Sequence, residues 1–163
     1  MKIGVPSEVK NNEFRVGLTP NSCRAIIDEG HSIFIQSNAG SGIGFTNEDY
    51  IKSGALILDT AEDVYLAAEL IIKVKEPVES EYQYLRDDLT LFTYLHLAGD
   101  PVNAKKLIET GVTGIAYETV TANDGTMPLL APMSAIAGQI SIVVGSYHLL
   151  KHNSGKGVLI GSF

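Results

Sequence analysis

Short apolar runs rich in valine and isoleucine alternate along this chain with segments that carry helix caps, and that alternation constrains the fold more than any other feature. Parallel strands buried on both faces read as near-continuous hydrophobic runs, and each needs a crossover helix to bring the chain back to the same end of the sheet. Runs at residues 2–5, 32–36, 70–75, 90–95 and 113–117 meet that description, with a weaker one near Leu56. The expected class is α/β: a Rossmann-like or flavodoxin-like parallel sheet with flanking helices.

Helix boundaries are written between the runs. Thr19-Pro20 opens a helix that Gly30 closes, and Asp100-Pro101 opens another that Gly111 closes. Each places a capping oxygen before proline and a glycine past the end. Thr46-Asn47-Glu48-Asp49 and Thr60-Ala61-Glu62-Asp63 read as two further helix starts, a hydroxyl cap followed by acids beside the positive end of the helix dipole. Asn123-Asp124-Gly125 signals a turn, and Pro128 and Pro132 bracket an extended connector. We place a domain boundary there, with residues 1–131 as a substrate-binding domain and 132–163 as an interdomain helix and the start of another domain. From about Ser134 that helix is apolar on nearly every face, so it should pack on several sides.

A chain of 163 residues, 45% hydrophobic and 19% charged, suits one globular unit with a real core. Its formal net charge of -7 disfavours nucleic acid as a partner. Cys23 is the only cysteine, which rules out an internal disulfide or a cysteine-based zinc site in this chain. His148 and His152 have helical spacing but lack a third ligand, so no metal is expected. Charge and proline follow directly on Met1, and Ser134, Gln139, Ser141 and His148 interrupt the longest apolar stretch. Both features favour a cytoplasmic, soluble protein with no membrane span.

Ligands of parallel α/β sheets gather outside the carboxyl ends of the strands. Arg15 follows the first strand, Lys75 ends the run from Leu70, and His96 ends the run from Thr90. A guanidinium grips a carboxylate in bidentate fashion, an ammonium polarises a carbonyl, and an imidazole exchanges a proton near neutral pH. The trio suits a 2-oxo acid. Taken singly, Arg15 reads as a loop cation paired with Glu8 or Glu13, Lys75 as a strand-end charge beside Glu76, and His96 as a core histidine. Glu118 reads either as an acid orienting a base or water, or as a solvated loop residue. Ser134, at the expected start of the long helix, reads either as an N-cap or as a contact for a cofactor phosphate. The run Gly40-Ser41-Gly42-Ile43-Gly44-Phe45 lacks the third glycine of a dinucleotide fingerprint, and we read it as a flexible turn.

Gly4-Val5-Pro6-Ser7-Glu8 and Asn12-Glu13-Phe14-Arg15-Val16-Gly17-Leu18-Thr19-Pro20 resemble the amino-terminal signature of alanine dehydrogenases and the related transhydrogenases. The resemblance continues through Lys73-Val74-Lys75-Glu76-Pro77, Tyr94-Leu95-His96-Leu97-Ala98 and Pro132-Met133-Ser134, and the last two segments look more like alanine dehydrogenase. It implies an NAD-dependent oxidative deamination of L-alanine to pyruvate and ammonia, in a homohexamer. Arg15 and Lys75 would bind the substrate, His96 would be the acid/base, and Met133 and Ser134 would contact NAD. The family continues beyond residues like Gly157-Val158-Leu159-Ile160-Gly161 into its glycine-rich fingerprint. The resemblance therefore implies a chain truncated before most of its NAD site, inactive when isolated. Two alternatives stand beside this reading: a fragment of a transhydrogenase alpha-like subunit, and a non-catalytic oligomerisation or binding module.

Overall fold

The computed structural model describes residues 1–161; Ser162 and Phe163, the last two of the segment read as the start of a second domain, lie outside them. The chain divides into two compact units, the first Met1–Glu118 and the second from Thr119 onward.

The first unit holds a six-stranded sheet whose recorded pairings are all parallel. Its strands are β1 (Lys2–Val5), β2 (Ser32–Gln36), β3 (Leu56–Leu58), β4 (Leu70–Ile72), β5 (Thr90–Thr93) and β6 (Thr113–Ala116), in the order β3-β2-β1-β4-β5-β6. Four helices cross between them: α1 (Pro20–Asp28), α2 (Asn47–Lys52), α3 (Ala61–Ala67) and α4 (Pro101–Thr110). Their caps are those the sequence foretells. Thr19, Thr46, Thr60 and Asp100 each accept a first-turn N–H, Thr46 with Asp49 forms a reciprocal capping box, and Gly30 and Gly111 adopt positive φ past the helix ends.

Alternation along each strand sends neighbouring residues to opposite faces, and two cores result. Ile3, Val5, Ile33, Ile35 and Ile72 join Cys23 of α1 and Tyr50 of α2 on one face. Ile71, Leu89 and Leu91 join Val64 and Tyr65 of α3 and Leu107 of α4 on the other. Gly4 points to the α3 face, where a Cβ would lie 2.9 Å from both Val64 Cγ1 and Ala68 Cβ. Its missing side chain is what lets α3 lie against β1.

Three strands stop earlier than their apolar runs. The runs at 70–75, 90–95 and 113–117 end as ladders at Ile72, Thr93 and Ala116. For the first two the cause is a change of acceptor. Val74 and Lys75 donate their N–H groups to the Glu8 carboxylate, and Leu95 and His96 donate theirs to Glu118. The glycine run at 40–45 forms a turn, as expected, and two of its glycines are closely approached. Ser41–Ile43 forms a 3-10 turn, with Tyr50 packed on Gly40 and Phe14 on Gly42 so closely that a Cβ would sit 2.6 Å and 2.9 Å from their nearest atoms.

In the second unit Asp124 accepts hydrogen bonds from the Thr126 amide and hydroxyl, closing the turn through Gly125. Helix α5 spans Ala131–Leu149 and starts earlier than expected. Ser134 is not its cap. The capping position falls on Leu130, whose carbonyl accepts from both Met133 and Ser134. Its apolar side chains are exposed in this structure, Val143 at 69% and Ile136 at 56%. Among the described residues no helix is long and apolar enough to cross a membrane.

Candidate functional site

Strand order reverses between β1 and β4, the switch point where the connections leave the sheet in opposite directions and open a crevice at its carboxyl edge. The loop after β1 supplies one wall and the chain leaving β4 and β5 supplies the other. Arg15 lies on the first, Lys75 and His96 on the second.

Two close approaches pin the Arg15 loop. Gly17 lies against the end of β4, where a Cβ would fall 2.5 Å from the Ile72 carbonyl oxygen, and Phe14 is seated on Gly42. The guanidinium is half exposed and meets Glu13 in a fork, with Nε 2.8 Å from Oε1 and Nη2 2.6 Å from Oε2. The hydrogen bond from Arg15 holds the Glu13 carboxyl below its usual range, and the charge of Lys75 acts in the same direction. Arg15 and Lys75 thus act on one carboxylate across the switch point. Arg15 also lies in the field of Tyr94, two residues before His96; burial raises the Tyr94 phenol and the guanidinium opposes that rise.

Lys75 is half-buried, and its backbone is held at both ends: its N–H goes to Glu8 and its carbonyl accepts from the Thr93 hydroxyl at 3.0 Å. The adjacent Glu76 pairs with Lys10, so the ammonium of Lys75 has no ion-pair partner among the described residues. His96 sits in the left-handed region at φ 51, unusual for a residue with a side chain. Its imidazole lies on Gly99 so closely that a Cβ there would fall 2.1 Å from Nε2. The structure therefore places Lys75 and His96 on the segments leaving the neighbouring strands β4 and β5, and Arg15 on the loop after β1, where it shares Glu13 with Lys75. Met133 and Ser134 belong to the second unit, where the Ser134 hydroxyl is on an exposed residue but its amide is already engaged within α5. Among the described residues, no cluster of His, Cys, Asp or Glu is placed to hold a metal ion.

Beneath the edge is a buried polar cluster that the sequence reading missed. Lys73 is fully buried, with Nζ 2.5 Å from Glu81 Oε1 and 3.7 Å from Glu8 Oε2, and the Tyr65 hydroxyl donates to the same Glu81 oxygen. Burial raises the Glu8 carboxyl above its ordinary range, against the pull of Lys73 and the two backbone amides. A signal was present: Lys73 shares the parity of Ile71, which alternation turns toward the α3 core. A separate concavity of about 310 Å³, lined by Lys10, Glu76, Tyr82, Asn103 and Lys106 among others, does not include Arg15, Lys75 or His96.

An all-parallel sheet in this order, with Arg15 and Lys75 on the two sides of the strand-order reversal, defines a Rossmann-like α/β domain. Residues 4–137 match the family described as alanine dehydrogenase/PNT, N-terminal domain, and the chain belongs to that family. It is 51% identical to an alanine dehydrogenase of Methanococcus maripaludis over 161 residues, 99% of this chain and 43% of the relative. An alanine dehydrogenase of Mycobacterium tuberculosis is 47% identical over the same shares. A solved L-alanine dehydrogenase superposes with a TM-score of 0.89 at 46% identity, covering 100% of this chain and 45% of the other. A transhydrogenase from Sinorhizobium meliloti, at 24% identity and a TM-score of 0.68 over 72% of this chain and 35% of its own, shares the fold. The chain spans less than half the length of the curated relatives it matches.

Proposed function

We propose that this chain forms the substrate-binding part of an NAD-dependent alanine dehydrogenase, which converts L-alanine to pyruvate and ammonia. The observation that carries the reading is the placement of Arg15, Lys75 and His96 after three adjacent strands on both sides of the switch point. Arg15 grips the substrate carboxylate, exchanging its fork with Glu13 for one with the ligand. One water adds to the imino acid left by oxidation and supplies the pyruvate oxygen as ammonia leaves; Lys75 steadies the charge that develops on that oxygen, and His96 exchanges the proton there. A nicotinamide cofactor, when bound, would supply the hydride acceptor.

Met133 and Ser134 are the residues we assign to NAD contact. The Met133 and Ser134 amides donate within α5 and Pro132 has none, so this turn offers the Ser134 hydroxyl but no cradle of free amides for a phosphate. The reading therefore leaves most cofactor contacts to sequence beyond this chain, consistent with its share of its relatives' length. Within it we keep 1–131 as the substrate domain, 132–163 as the interdomain helix and the start of the NAD domain, and a cytoplasmic location.

Calorimetric titration with pyruvate tests the site. Binding by the wild-type chain and its loss in Arg15→Ala is the expected pattern; identical heats in the two would sink the assignment of Arg15. Little or no NADH is expected from L-alanine with this chain alone, and robust turnover would overturn that part of the proposal.

The exposed apolar residues of α5 favour a second reading, that of an oligomerising module. Sedimentation decides it, since a stable monomer at all concentrations would remove its physical basis.

A further inference from the structure

Glu8 and Glu118 do the same thing on neighbouring strands. Glu8 follows β1 and reaches the end of β4, where its two oxygens accept the N–H groups of Val74 at 2.6 Å and Lys75 at 3.3 Å. Glu118 follows β6 and reaches the end of β5, where it accepts those of Leu95 at 3.3 Å and His96 at 2.6 Å. Each carboxylate captures two successive amides where the ladder stops. In each pair the second amide belongs to a residue of the crevice.

One short and one longer hydrogen bond from adjacent amides to the two oxygens of a single carboxyl group restrain the peptide plane between them. The acceptors are themselves anchored. The Glu8 side chain is only 2% exposed and lies beside the buried Lys73, which Glu81 and, through it, Tyr65 hold in place. Glu118 sits in the 3-10 turn Tyr117–Thr119, and the Tyr117 ring packs edge-on against Phe92 of β5 and Tyr94 just beyond it. The left-handed backbone of His96 needs such restraint, because a residue with a Cβ holds that conformation only where its surroundings impose it. Glu118 takes its N–H and the Gly99 amide donates to its carbonyl.

We propose that Glu8 and Glu118 are paired positioning residues, two carboxylate clamps from opposite flanks that set Lys75 and His96 in the crevice without touching substrate. The proposal deepens the pyruvate-site reading and rests on it for the roles of those two residues. Backbone amide spectra of the 15N-labelled chain, recorded with pyruvate calorimetry, test both levels. Glu8→Gln should shift the Val74 and Lys75 amides and leave Leu95 and His96 in place, while Glu118→Gln should do the reverse. Each folded variant should bind pyruvate about tenfold more weakly, the scale expected when one hydrogen bond to the ligand is weakened. Glu118 lies on a turn rather than in the buried cluster, so Glu118→Gln carries the test if Glu8→Gln fails to fold. Unmoved Lys75 and His96 amides, or wild-type pyruvate affinity in a folded variant, would overturn the clamps. Absence of pyruvate binding by the wild-type chain would instead overturn the site reading, with the amide shifts still deciding whether the clamps exist.

Discussion

Arg15 comes to the crevice already paired, and that pairing sets a competition. Any ligand carboxylate must displace Glu13 from the guanidinium. Glu13→Gln is therefore expected to tighten pyruvate binding by roughly fivefold, the equivalent of about 1 kcal/mol for a partly exposed pair, as read by calorimetry; weaker binding would show that Glu13 orients Arg15 rather than masking it. Cys23 stands at the opposite extreme. Fully buried in the α1 face, its thiol is pushed up to about 11 from an ordinary 9.0. The native chain should resist iodoacetamide at neutral pH and react only on unfolding. The sign of the linked stability change follows: below pH 9.0 the thiol is protonated in both states and contributes no slope. Between there and about 11 the unfolded chain alone gives up the proton, so stability falls as pH rises. Denaturant midpoints in that window should fall less steeply for Cys23→Ser.

The packing of α3 on β1 depends on Gly4. Gly4→Ala would drive a methyl group to within 2.9 Å of Ala68 Cβ and 2.8 Å of Ile71 Cδ1, and should cost about 1–3 kcal/mol in thermal or urea unfolding. An unchanged midpoint would mean that α3 can shift outward without loss. At this scale the sequence was most legible where the determinants are local. Thr19, Asp100, Gly30 and Gly111 act within a few residues of themselves, and the helices they bound lie where their pattern says. Strand ends were less legible because their cause is remote. The acceptor that draws the Val74 amide out of the ladder lies 66 residues earlier in the chain, and nothing in the run from Leu70 to Lys75 announces it. The start of α5 was misplaced for a related reason: proline at its second position suggested that the helix began later, whereas the N–H that Pro132 lacks is one a first turn does not need.

Across the whole molecule the buried ion cluster joins the two halves of the sheet. Lys73 leaves the end of β4, Glu8 follows β1, and Glu81 lies beyond β4, so removing the lysine leaves two buried carboxylates without their cation. Lys73→Met should destabilise the chain by about 3–5 kcal/mol in urea titrations, and adding Glu81→Gln should recover part of that loss. A near-neutral single variant would show that water or protonation compensates the cluster. The positions of Arg15, Lys75 and His96 beyond β1, β4 and β5 were legible in the sequence because strand-end position is a simple rule. Their support was not, since the contacts run between segments far apart in sequence. The bond from Glu8 to Val74 also bears on biosynthesis. A nascent polypeptide halted before residue 70 would already contain Arg15 but have no opposing wall for it, and that wall is complete only once the chain has run past β5 and β6 to Glu118.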